Sequence, residues 1–138
     1  MIEVRAAPPE HYSWIAERAN LKVGPDLRAI EAVDGDRILG MVAYDNWMPN
    51  ACSMHLAIEV PIASRRLIKP AFGIAFIEFK RQVVIGYVLS NNAKALALDL
   101  HLGFKEVGRL RDAWGPGVDM VIMEMRREDC RWLKGARQ

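Results

Sequence analysis

The chain has 138 residues, enough for one domain with a substantial core and too few for two ordinary ones. Apolar residues make up 51% and charged residues 26%, and a formal net charge of +2 leaves no overall field that draws nucleic acid or membrane. Cys52 and Cys130 have neither metal-type spacing nor a disulfide framework and read as reduced thiols of a cytoplasmic protein. No apolar run approaches bilayer length and the N-terminus has no signal core, which argues against secretion and membrane insertion.

Ile2 to Ala6 alternates apolar and charged residues, as a half-buried strand does. Pro8-Pro9 stops it, and Pro9 suits the first turn of a helix running to about Ala19. Gly24-Pro25-Asp26 reads as a turn or a very short helix. Residues 29–33 and 38–44 read as strands joined by Asp34-Gly35-Asp36, a strong hairpin signal, and Met48-Pro49-Asn50 breaks the chain again. Residues 53–60 alternate, with Met54, Leu56, Ile58 and Val60 on one face and Ser53, His55, Ala57 and Glu59 on the other.

The residue before a proline is pushed out of helical angles, so the next helix is expected to start near Pro70, with Phe72, Ala75, Phe76 and Phe79 as its buried stripe. Val83 to Leu89 is almost wholly apolar, as expected of a central strand covered on both faces. A helix follows, opened by an Asn at 91 or 92 and stopped by Gly103. Residues 104–110 and 118–126 then make a closing strand pair, joined by a loop over 112–117. The order is β-α-(α)-β-β-β-α-β-α-β-β in one domain spanning 1–138. Pattern alone supports only a mixed α/β or α+β class.

The stretch from Asn91 to Phe104 resembles the late helix of the GNAT N-acetyltransferase superfamily, which reads Asn-x-x-Ala-(apolar)-x-(apolar)-Tyr-x-x-(apolar)-Gly-Phe. Asn92, Ala95, Leu96, Leu98, Leu102, Gly103 and Phe104 fall in register with it, and Asp99 stands where the family usually has Tyr. The element order agrees over nearly the whole chain, while the residue-level match is concentrated in 92–104. The resemblance implies an acyl-CoA N-acyltransferase fold, a mixed central sheet of about six to seven strands flanked by helices. It implies acetyl-coenzyme A as cofactor, with Asn92 and Ala95 beside the pantetheine arm. Ile58 and Val60 belong to the strand whose main-chain N–H groups polarise the thioester carbonyl.

The family's phosphate loop, Arg/Gln-x-x-Gly-x-Gly/Ala, departs here to Ser64-Arg65-Arg66-Leu67-Ile68-Lys69-Pro70, with Ile68 and Pro70 in place of glycines. Either Ser64, Arg65, Arg66 and Lys69 hold the phosphates by side-chain charge, or the cofactor site has degenerated. Some phage and prophage acetyltransferases that also lack the glycine loop resemble this chain in Gly-x-Leu-Arg-Asp (Gly108 to Asp112) and in the ending from Met125 to Leu133.

By the same resemblance, a substrate amine attacks the thioester directly, a base takes its proton and an acid protonates the leaving thiolate. Tyr commonly supplies that acid. Asp99 serves only if burial raises its pKa, and otherwise is a helix-surface residue. Glu59 is the first choice of base and His55 the second, roughly 13 Å apart by strand rise. Asp45, Tyr44 and Glu78 stand behind them. Trp47, Met48 and Trp114 either line an acceptor pocket or cover the core.

The expected activity is acetyl-CoA-dependent N-acetylation of a primary amine on a small molecule, a peptide terminus or a lysine. The alternatives are a non-catalytic GNAT-fold module that binds coenzyme A or a protein, and a phage-type enzyme modifying nucleic acid or a host protein. The basic C-terminus (Arg126, Arg127, Arg131, Lys134 and Arg137) reads first as a solvated tail and second as a site for an anionic partner. A homodimer is expected by analogy with the fold alone.

Overall fold

The computed structural model describes residues 1–134, so Arg137 lies outside the described residues. β1 (Ile2–Ala6) leads through a 3-10 turn (Pro9–His11) into α1 (Tyr12–Ala19). Asn20 closes α1 in the left-handed conformation that Asn tolerates better than most residues. The segment at Gly24 to Asp26 is a turn without a helix. β2 (Arg28–Asp34) and β3 (Arg37–Asp45) form the expected hairpin. Gly35 supplies its positive φ of 61°.

β4 (Ala51–Ile58) is followed by α2 (Pro61–Gly73), which runs on into a π-helical turn (Ile74–Glu78). β5 (Val83–Leu89), α3 (Ala93–Leu102), β6 (Lys105–Gly115) and β7 (Val118–Arg126) complete the regular elements. Two 3-10 turns (Arg127–Asp129 and Arg131–Leu133) then fold the chain back, burying Cys130 and Leu133 in the core.

The seven strands form one sheet in the order β1-β2-β3-β4-β5-β7-β6. Every neighbouring pair is antiparallel except β4 with β5. That parallel pair is in register only from Ala51 to Ser53 against Val83 to Ile85. Further along, β4 stays paired with β3 and β5 with β7, but the two no longer pair with each other. They splay, and backbone N–H and C=O groups that a ladder would satisfy face the opening.

The sheet carries α2 and α3 on one face, over a core that includes Leu67, Phe72, Phe76, Val84, Phe104 and Met123. On the other face α1 packs a smaller cluster of Ile15, Leu27, Met41, Ala43 and Ala57.

Four expectations change. α2 starts at Pro61, not near Pro70, and Pro70 sits inside it. Leu67, Ile68, Ala71 and Phe72 are all buried around that proline. Burying a Leu, Ile or Phe stabilises by roughly 1.5–3 kcal/mol, so together they outweigh the ~3 kcal/mol that an interior proline costs. β4 ends at Ile58, leaving Glu59 and Val60 beyond it. β5 is covered on one face only, since Tyr87 is 42% exposed. β6 extends through most of the expected loop to Gly115, accommodated by a register shift between Leu110 and Gly115 and by Asp112 at φ 55°.

Candidate functional site

The splay between β4 and β5 opens into a cleft of about 430 Å³. Met54, His55 and Leu56 line it from β4, and Gly86 to Leu89 line it from β5. Side chains alternate along a strand, so the cleft passes through the sheet. Met54 and Leu56 belong to the face carrying α2 and α3. A Cβ at Gly86 would meet Asp99, Met123 and Phe104, which puts Gly86 on that face too. His55 and Tyr87 therefore project to the α1 face.

Two titratable groups meet this opening from opposite sides. On the α1 face, His55 Nε2 lies 2.7 Å from Asp45 Oδ1, with the side chains 15% and 23% exposed. Asp45 is the last residue of β3, the strand paired with His55's own, and this contact fixes the imidazole orientation. With the Nε2 proton donated to Asp45, Nδ1 is the nitrogen left to accept a proton.

On the other face, Asp99 of α3 lines the cleft and is only 8% exposed. Its carboxyl has no hydrogen-bond or ion-pair partner among the described residues. Burial pushes its carboxyl up to about 6. A carboxyl with that pKa keeps its proton on roughly a tenth of molecules at pH 7. The expectation of a helix-surface Asp is thereby replaced by a buried one. Asn92 lines the same wall and caps α3, its Oδ1 accepting from Ala95 N–H at 3.1 Å. Ala95 lines it as well.

The other sequence candidates lie elsewhere. Glu59, the first choice of base, is exposed and paired with Arg18 at 3.1 Å, outside the cleft lining. Tyr44 is buried and donates to the Ala71 carbonyl at 2.7 Å, and burial raises its pKa, so it is no base. Glu78 is exposed on the π-helical turn. Ile58 and Val60 pack toward the α2 core. Ser64, Arg65, Arg66 and Lys69 sit on α2, not on a loop, and Arg66 Nη2 donates to the Ile2 carbonyl at 3.1 Å. Cys52 and Cys130 are buried, and burial pushes the Cys52 thiol up to about 11, well away from a nucleophile's range.

Trp47 is a packing residue, 5.0 Å centroid to centroid from Phe79, with its indole N–H on the Asp26 carbonyl. Met48 is exposed and Trp114 lines the cleft, 55% exposed. Three of the basic C-terminal residues are engaged. Arg126 pairs with Glu124 and Glu128, Arg127 donates to the Phe76 carbonyl, and Arg131 donates to that of His101. These three are not part of a solvated tail, whereas Lys134 is exposed at the end of the described residues.

Sequence reading missed Tyr87 and the segment from Arg18 to Lys22, all of which line the cleft. Gly86 did carry a signal, since a glycine inside a strand marks close approach of another group. Also missed was Glu31, fully buried in β2 and held by Arg5 Nε at 2.9 Å and His11 Nδ1 at 2.7 Å. It anchors the start of α1 away from the cleft.

The acetyl donor implied by the sequence resemblance fits this architecture. The unpaired strand edges offer main-chain donors, and the α3 wall offers apolar surface at Ala95 and Leu98 with a polar atom at Asn92. α2 begins just past Glu59 and Val60, and its first turn has no side-chain cap, as an anion-receiving helix start requires.

No protein-family model matches the chain, and no curated protein matches it by sequence. Solved structures do match it in shape. Mutant forms of the spermidine/spermine N-acetyltransferase SpeG from Vibrio cholerae superpose with a TM-score of 0.75 at 18% identity, over 99% of this chain and 100% of that one. The same enzyme in complex with manganese ions gives 0.73 at 18%, over 99% and 97%. Its dodecameric form in an intermediate state gives 0.72 at 18%, over 99% and 98%. At this identity the likeness is one of fold, and the chain has a GNAT-like fold: a seven-stranded mixed sheet flanked by helices.

Proposed function

We propose that the protein is an acetyl-coenzyme A-dependent N-acetyltransferase that acts on a primary amine. One observation carries this reading: a His55–Asp45 pair and an unpartnered Asp99 approach a single opening in the sheet from its two faces. The GNAT-like fold and the acetyltransferase activity of its structural neighbours support it. The donor substrate supplies an acetyl group activated as a thioester. Asn92 and Ala95 would hold its pantetheine arm, and the first turn of α2, with Arg65, would receive its phosphates.

The chain's own groups divide the work by face. His55 Nδ1 accepts the proton of the attacking amine, and Asp45 holds the ring and stabilises the imidazolium that forms. N–H groups on the open edge of β4 steady the charge that develops on the carbonyl oxygen. Asp99, in its protonated form, returns a proton to the departing thiolate.

The test is calorimetric titration with acetyl-coenzyme A, followed by thiol-release assays over an amine panel for the wild type and His55→Gln. Saturable binding with turnover that His55→Gln lowers by about 10²-fold or more is expected. Absence of binding at millimolar ligand sinks the proposal. Binding without turnover of any amine favours a non-catalytic coenzyme A-binding module instead.

A further inference from the structure

Resting on the transferase reading, we infer that the acceptor is an amine that carries its own carboxylate and a flat apolar body, the chemistry of an aromatic amino acid. The inference comes from the half of the cleft on the α1 face, where His55 receives the amine.

One wall of that half is apolar and open. Leu89 pairs with Met120, and Tyr87 pairs with Ile122, so all four share one face of the sheet. α1 packs against β3 and β4, leaving this face of β5 and β7 without a helix over it. Tyr87 is 42% and Trp114 55% exposed, and both line the cleft with Leu89 and Met120. Large exposed aromatic faces beside a polar pocket suit a flat ring, which buries apolar area at little entropic cost.

The opposite wall is cationic. Arg18 is held in place, its guanidinium 4.0 Å over the Trp14 ring, with one nitrogen on the Trp14 carbonyl and another on Glu59. Lys22 lines the cleft, is exposed, and has no hydrogen-bond or ion-pair partner among the described residues. Glu59 compensates Arg18, Asp45 is committed to His55 and Asp99 reaches the cleft from the other face, so among the described residues Lys22 is the uncompensated charge of this wall. A polycation entering here meets Lys22, with Glu59 and Asp45 already paired. An amine at His55 that carries its own carboxylate offers Lys22, which lines the same cleft, a complementary charge.

Three acceptors separate the contributions: phenylalanine, phenethylamine (the same body without the carboxylate) and spermidine. With saturating acetyl-coenzyme A, phenylalanine is expected to exceed phenethylamine by about tenfold or more in kcat/KM, with spermidine lowest. Lys22→Glu is expected to raise KM for phenylalanine at least about five times more than KM for phenethylamine. Titration of the coenzyme A-loaded protein with phenylalanine and phenethylamine reads the same preference without turnover. The inference is overturned if phenethylamine or spermidine equals phenylalanine, if Lys22→Glu shifts both KM values alike, or if acetyl-coenzyme A binds and none of the three reacts. Failure to bind acetyl-coenzyme A overturns the transferase reading itself.

Discussion

α2 and α3 each follow a strand and lie on the same face of the sheet, yet their ends are set by different physics. α3 begins where the Asn92 side chain accepts from Ala95 N–H, and it stops where Gly103 takes a φ of 111°. Each boundary belongs to one residue whose own chemistry makes the cap. α2 has no side-chain cap, starts on a proline and keeps another in its interior. Its position comes from Leu67, Ala71 and Phe72, which are fully buried against the sheet. Local chemistry marks a helix end that a single residue builds, whereas burial places a helix that nothing local marks. The contrast carries into function, since α2 contributes mainly apolar mass and α3 brings a carboxyl into the cleft.

Asp99→Asn tests that contrast most strongly. Asp99 keeps its proton to about pH 6 in the folded chain, against 3.8 for an ordinary Asp. The folded state therefore binds more protons between those values, and stability falls as pH rises through the window. The shift corresponds to up to about 3 kcal/mol, present below pH 4 and lost above pH 6. Asp99→Asn is expected to flatten this dependence and to stabilise the protein at pH 8 by up to that amount, read from urea unfolding across pH. It is also expected to lower kcat by about 10²-fold, because an amide cannot protonate the thiolate. Equal stability of the two proteins at pH 8 refutes the buried-acid account of α3.

The second prediction concerns Pro70, which explains what sequence reading could and could not locate. The rule that residues before proline avoid helical angles is sound, but burial on both sides of Pro70 overrides it. That displaced the start of α2 from Pro61 to Pro70 and set Ser64, Arg65, Arg66 and Lys69 on a supposed loop, although all four belong to the helix. His55, Asn92, Ala95 and Asp99, which the GNAT resemblance together with strand alternation singles out, do lie along the cleft. Neither singles out Tyr87 or Lys22, because the cleft exists only where β4 and β5 stop pairing. That point depends on contacts distant in sequence. Pro70→Ala restores a helical N–H and removes a steric conflict worth ~3 kcal/mol, while the unfolded chain regains about 1 kcal/mol of freedom. A net stabilisation of about 2 kcal/mol is expected, seen as a higher urea midpoint at unchanged m-value. A destabilised Pro70→Ala protein contradicts the view that packing carries this helix through the proline.

The smallest effect is the most discriminating, because Asn92 both caps α3 and lines the cleft. Asn92→Ala removes the acceptor for Ala95 N–H and is expected to cost about 1 kcal/mol. Asn92→Asp keeps an acceptor at the helix start and adds a negative charge where the helix dipole favours one, so its stability is expected to stay within about 0.5 kcal/mol of wild type. The two variants share the loss of the amide N–H₂ donor. If that donor meets the pantetheine arm, both raise KM for acetyl-coenzyme A although only the alanine variant loses stability. Should KM stay at the wild-type value in the aspartate variant, Asn92 is a helix cap alone, and the grip on the donor rests on the open edge of β4.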